Sequence, residues 1–170
     1  GCDIAAFVCD APARAFIKNI KPHMGYSSCE RCTQEGVWNN KMTFPETNAP
    51  LRSDASFDEL TDEGHHKGLT PLTGLGIGLV SQVVLDYMHL VCLGVMKRLL
   101  LLWMKGPLHV RLGHGVVSAI SERLLHFKTF IPSEFPRKPG SLLEVARWKA
   151  TEFRQLLVYT GTVALVGQLP

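Results

Sequence analysis

The sequence predicts an α/β protein that is predominantly α-helical, and three observations carry that expectation. A short apolar run at residues 3–9 stops at a carboxylate, Asp10, as a buried strand does where it leaves a sheet. A Cys-x-x-Cys turn, Cys29-Glu30-Arg31-Cys32, follows it. Beyond residue 80, apolar residues recur at three- and four-residue spacing through several long segments. One strand, a small knuckle and a block of three or four helices make a poor complete α/β domain. They fit a sheet domain interrupted by a helical insertion, whose remaining strands lie elsewhere.

The bulk numbers set broad limits. A chain of 170 residues supports one sizeable core, and 46% hydrophobic with 19% charged residues is ordinary for a globular protein. A net charge of +3 is too small to argue for a nucleic-acid partner, but it is unevenly spread. Residues 1–85 hold seven Lys/Arg against ten Asp/Glu, and residues 86–170 hold eleven against five. A basic second half can face a polyanion or simply be solvated. Five cysteines, with Cys2, Cys9 and Cys92 in apolar surroundings, suit buried thiols better than a disulfide framework. The longest apolar run, Leu79 to Met104, carries Asp86, His89, Lys97 and Arg98. Four such groups argue against a bilayer span and for a buried helix. The chain opens on Gly inside a strand-like run and closes on an apolar stretch, so it reads as a piece of a longer protein.

In chain order, Asp10 is a candidate N-cap for a helix with Pro12 in its first turn and Ala13, Phe16, Ile17 and Ile20 as its apolar stripe. A cap is therefore the bland reading of Asp10, and a strand-end catalytic acid the sharper one. Gly25 to Ser28 turns into Cys29 and Cys32, whose spacing lets two thiolates reach one tetrahedral Zn²⁺. Two further ligands are needed, with His23, His65, His66 and His89 as candidates inside the chain. A thioredoxin-like redox pair ranks lower, because that motif opens a helix and this one follows a Gly/Ser turn. Residues 36–44 suit a strand or hairpin arm. Ser56 to Glu59 has capping-box spacing for a short helix ending near Gly64. Adjacent histidines point apart, so His65 and His66 are expected at the surface.

Asp86 can cap a helix running to about Met104 that is apolar on most sides, and His89 sits one turn on as a structural partner for it. Val116, Val117, Ile120, Leu124 and Phe127 mark a second helix. A second capping box, Ser141 to Glu144, opens a third over about residues 142–159, with Arg147, Lys149 and Arg154 on one side and Trp148, Phe153 and Leu157 on the other.

Taken together, Phe7 to Arg14 and then Gly25 to Cys32 resemble the region around the second catalytic aspartate of CACTA-like (En/Spm) DNA transposases. Leu85-Asp86-Tyr87-Met88-His89 resembles that family's Asp-x-Met-His segment, and Trp148 to Phe153 its Lys-x-x-Asp/Glu helix. The resemblance implies part of an RNase H-like core followed by a helical insertion. Residues 1–22 would be strand and helix of the core, 23–50 the knuckle, and 51–170 the insertion. It implies a parent enzyme that cleaves and joins DNA with two Mg²⁺ ions held by Asp, Asp and Glu, with Asp10 as the second acid. It further implies Zn²⁺ on Cys29 and Cys32 as a structural ion, transposon-end DNA as partner, possible homodimers, no membrane, and a nuclear location. The first Asp is expected before Gly1. The Glu and a His pair completing the zinc site are expected beyond Pro170. Asp3 shares a run with Asp10 and does not replace the first acid, and Glu152 within a helix is an ordinary surface carboxylate. On this basis the 170 residues alone are expected to be inactive. The competing expectation is a non-catalytic, zinc-stabilised module that binds DNA or protein.

Overall fold

A computed structural model describes residues 4–169, so Cys2 and Asp3 lie outside the described residues. The chain is α/β, with a few short strands among many helical segments, and forms two compact units that divide between Asp86 and Tyr87. Among the described residues no helix is long and apolar enough to cross a membrane.

In the first unit, β1 (Phe7–Cys9) leads into α1 (Ala11–Ile17) through Asp10. Asp10 has extended backbone angles, and its Oδ1 accepts from the Ala13 N–H at 3.0 Å, so the expected cap is present, with Pro12 in the first turn. A hairpin, β2 (Val37–Trp38) with β3 (Met42–Thr43), leaves the knuckle. Next come α2 (Asp54–Asp58) and β4 (Val83–Leu85). The last strand returns to pair in parallel with β1, in the register Phe7 to Val83, Val8 to Val84 and Cys9 to Leu85. Residues 51–86 thus contribute a helix and the strand partner of β1 to the first unit. Ala15, Ile20, Phe57, Leu79, Val80 and Val83 form its core.

Two expectations are corrected here. The β1 run is not buried on both faces, because Val8 is 68% exposed on the uncovered side of a two-stranded sheet. The capping box belongs to Ser53 and Ser56, not Ser56 and Glu59. Each hydroxyl accepts from the other residue's N–H, at 3.0 and 3.1 Å, and the helix ends at Asp58, before a left-handed Leu60.

The second unit opens with a π-helical stretch, Met88–Met96, that runs directly into α3 (Lys97–Lys105). It continues with α4 (His114–Phe127), a 3₁₀ turn (Leu142–Arg147), α5 (Ala150–Gln155), a second π-helical stretch (Leu156–Thr160) and α6 (Gly161–Ala164). The widened turns carry glycine for a steric reason. A Cβ on Gly94 would stand 2.9 Å from the His89 carbonyl oxygen, and one on Gly161 would stand closer still to that of Leu156. Both carbonyls belong to the residue five positions earlier, the partner that i→i+5 winding brings closest.

Leu100, Ile120, Leu124, Leu142, Phe153 and Leu156 centre the core of this unit. Contrary to the expectation of an enclosed helix over 86–104, Met88, Leu90 and Val95 are exposed. The segment 142–159 is not one helix but is broken at Trp148-Lys149, both extended in ψ. The break lets the Trp148 indole turn inward onto Phe153, with ring centroids 5.5 Å apart. Glu152 then accepts from the Lys149 N–H at 2.7 Å and starts the next helix, whereas Ser141 accepts from Leu143 and Glu144 takes no part in that cap.

Candidate functional site

Parallel pairing brings two carboxylates to one end of the first unit's sheet. Asp10 follows Cys9 and Asp86 follows Leu85, and Cys9 and Leu85 are register partners. The two aspartates therefore occupy neighbouring positions just past the C-terminal ends of adjacent strands, where backbones run about 5 Å apart. Asp86 is buried and Asp10 half-buried. Asp10 Oδ1 is engaged by the α1 cap, and Oδ2 makes no hydrogen bond among the described residues. Paired carboxylate oxygens suit a hard cation such as Mg²⁺.

Sequence alone marks Asp86 only as a helix cap and as part of a resembling segment. A signal for more is present: Val83-Val84-Leu85-Asp86 repeats the pattern of Phe7-Val8-Cys9-Asp10, three strand-forming residues and then an acid.

The knuckle is fastened to both strands by buried charge. Glu30, inside the Cys-x-x-Cys turn, accepts from Arg14 Nε at 3.0 Å and from Lys18 Nζ at 3.2 Å, both at the C-terminal end of α1. Burial pushes the Lys18 ammonium below its ordinary pKa, and Glu30 opposes that shift. Arg14 also donates to the Cys9 carbonyl at 2.7 Å, next to Asp10. Arg31 donates to the Val80 and Val83 carbonyls, at 2.5 and 3.1 Å, on the approach to Asp86.

Cys29 and Cys32 bring their sulfurs to 3.2 Å, both partly buried and not disulfide-bonded. Burial acts to raise the Cys32 thiol. Contacts from Gln34, the Cys29 thiol and the Arg52 guanidinium outweigh it and hold Cys32 below the ordinary cysteine value. Two converging thiols match the soft half of a tetrahedral Zn²⁺ site. Among the described residues no third His, Cys, Asp or Glu joins them in a metal-binding group. Of the candidate histidine partners, His23 and His89 are exposed.

His65 and His66 are buried, which corrects the surface expectation. His65 Nδ1 lies 2.7 Å from the Ser27 carbonyl oxygen, and its backbone N–H donates to Asp62 Oδ1 at 3.2 Å. Asp62 is held by Arg52 at 2.6 Å, and Arg52 Nε also donates to the Cys29 carbonyl at 2.9 Å. The His turn and the Cys turn are thus tied together through Arg52 and Asp62. His66 packs edge-on to Phe57, with centroids 4.5 Å apart. Burial lowers the His65 pKa to about 4, and the ring is neutral at pH 7.

Glu152, expected as an ordinary surface carboxylate rather than as the third acid, lies in the second unit, where its carboxylate caps α5. No known protein family, curated protein or solved structure matches the chain.

Proposed function

We propose that this chain is part of a transposase-like protein that cleaves and joins DNA, or of a domesticated descendant of one, with an RNase H-like core. The observation that carries the reading is the placement of Asp10 and Asp86 side by side at the ends of parallel β1 and β4. Strand-end carboxylates on neighbouring parallel strands hold the oxygen ligands of a divalent ion rigidly, which phosphoryl transfer requires. Asp10 and Asp86 would hold Mg²⁺, which when bound activates the attacking oxygen and stabilises the leaving one. The Arg14 contact to the Cys9 carbonyl and the Arg31 contacts to Val80 and Val83 fix the two strand ends against each other.

In this reading the Cys29–Cys32 turn holds a structural Zn²⁺ whose other ligands come from outside the described residues. The partner is transposon-end DNA, engaged by the whole protein, as a homodimer and in the nucleus. The 170 residues alone lack a complete acid set and do not cleave. The test is Mg²⁺-dependent strand cleavage by the full-length parent. Asp10→Asn and Asp86→Asn each reduce cleavage to background while thermal unfolding shows a folded protein. Cleavage retained in both variants sinks the reading.

A second reading is favoured by the capping bond between Asp10 Oδ1 and Ala13 N. Under it, Asp10 is structural and the chain is a non-catalytic, zinc-stabilised module that binds DNA or protein. Asp10→Ala then costs about 1 kcal/mol of stability and leaves binding intact.

A further inference from the structure

Between the end of α4 and the last helical segments of the second unit lies an open apolar groove of about 200 Å³. Phe127, Phe130 and Ile131 form one wall, and Tyr159, Thr160 and Val163 the other. The walls reach solvent: Phe130 is 69% exposed and Val163 57%. The cause lies in the sequence. From Leu156 to Val166 no residue is charged, so a helix there is apolar on every side. Leu156 and Ala164 turn into the core, which leaves Tyr159 and Val163 facing out. The aromatic walls are held by ring contacts of their own. Tyr159 meets Phe135 edge-on with centroids 5.3 Å apart, and Phe130 stands 5.2 Å from the His126 ring. The Thr160 hydroxyl donates to the Gln155 carbonyl of its own helix. What fills the groove is therefore apolar.

The surroundings fix the charge of the occupant. Tyr159 is also a wall of a neighbouring cavity that carries Arg137 and Arg154, so two guanidinium groups stand just beyond one end of the groove. Past the other end, Arg123 Nη1 donates to the Ala164 and Val166 carbonyls, at 3.2 and 2.7 Å. No carboxylate lines either cavity, and among the described residues none of these three arginines forms an ion pair. Val166 lies twelve positions after Arg154, roughly 18 Å along a helix, a span of about three turns.

We propose that this groove docks an acidic amphipathic helix of a partner protein. Bulky apolar side chains at i, i+4 and i+7 enter between Phe130 and Val163, and Asp or Glu toward the two ends meets Arg123 and the Arg137–Arg154 pair. The apolar burial supplies affinity, and the arginines set direction and speed of encounter. Two other occupants match less well. A second copy brings its own basic unit, with eleven Lys/Arg against four Asp/Glu over Tyr87–Pro170, and like charges then face each other. A bilayer surface is flat, whereas the groove is recessed between two helical segments and takes protruding side chains. The inference stands apart from the DNA reading and needs neither cleavage nor a metal.

The experiment is selection of a displayed library of short helical peptides on the full 170-residue chain, followed by fluorescence anisotropy of the enriched sequence. Enriched peptides carry apolar residues at i, i+4 and i+7 and Asp or Glu toward both ends. Phe130→Ser and Val163→Ser, both at exposed positions and folded by circular dichroism, each weaken the enriched peptide roughly tenfold or more. Arg137→Glu with Arg154→Glu weakens it as well, and transfers the preference to a peptide bearing Lys at that end, which loss of structure cannot do. Arg111→Glu, at a separate cavity, leaves affinity unchanged. A selection that enriches no peptide overturns the proposal. Enrichment without acidic ends, or a double Glu variant that gains no preference for Lys, overturns the assigned chemistry. Self-association abolished by Val163→Ser, in place of peptide binding, gives the face to a second copy. Binding to phosphatidylserine vesicles abolished by the same variant, again in place of peptide binding, gives it to a membrane. Either result also overturns the proposal.

Discussion

Lys18 Nζ stands 3.2 Å from Glu30 Oε2 with the lysine only 1% exposed, so the end of α1 and the Cys29–Cys32 turn share one buried ion pair. Arg14 completes the arrangement from the same helix, at 3.0 Å from the other oxygen. A buried charge that keeps its partner is tolerated, and one deprived of it is not.

Glu30→Ala is therefore expected to destabilise the chain by about 3 kcal/mol, because it strands the Lys18 ammonium. Lys18→Met is expected to cost much less, since Glu30 keeps Arg14 and the new side chain packs on Phe57, whose ring centre lies 5.0 Å from Nζ. Urea unfolding of both variants checks the order. An equal cost would show that packing, not charge pairing, sets the energy here.

Acid is expected to destabilise the protein through His65. Burial puts its folded-state pKa at about 4, below the 6.5 of an ordinary histidine, so the unfolded chain takes up the proton first. The stability tied to the neutral ring is complete above pH 6.5 and is lost as pH falls toward 4. The full effect is on the order of 3 kcal/mol. His65→Gln should flatten this part of the pH–stability curve while also costing stability at neutral pH. Unfolding midpoints measured from neutral pH down to about 4 decide it, and a slope unchanged in the variant contradicts the assignment.

Two glycines in the second unit should respond to alanine with opposite signs. At Gly161, the first residue of α6, the new methyl collides with the backbone carbonyl oxygen of Leu156, and the cost should be about 1–3 kcal/mol. At Gly115, within the first turn of α4, nothing lies within 4 Å, and alanine should add about 0.5 kcal/mol through helix propensity. Thermal unfolding of both variants is the check.

Much of the local structure is legible in the sequence because its causes are local. The Asp10 cap, the helix at 114–127 and the hairpin after the knuckle follow from spacing and turn chemistry within a few residues. The pairing of β1 with β4 is not legible, because its register joins residues 76 apart in a parallel pair. Without that pairing Asp86 reads only as a cap. The burial of His65 and His66 is hidden for a similar reason. It depends on Ser27, Phe57 and the Arg52–Asp62 pair, none of which adjacent histidines announce. The break at Trp148 is hidden because its helical spacing is good, and only the indole's place in the core overrides it.

The central claim is that Asp10 and Asp86 together hold a divalent cation. The most direct measurement is Mn²⁺ binding to the 170-residue chain, followed by electron paramagnetic resonance of the free ion, in wild type, Asp10→Asn and Asp86→Asn. The account predicts saturable binding by the wild type, displaced by Mg²⁺ and abolished in either variant. Binding that survives in both variants, or a wild type that takes up no ion, would contradict it.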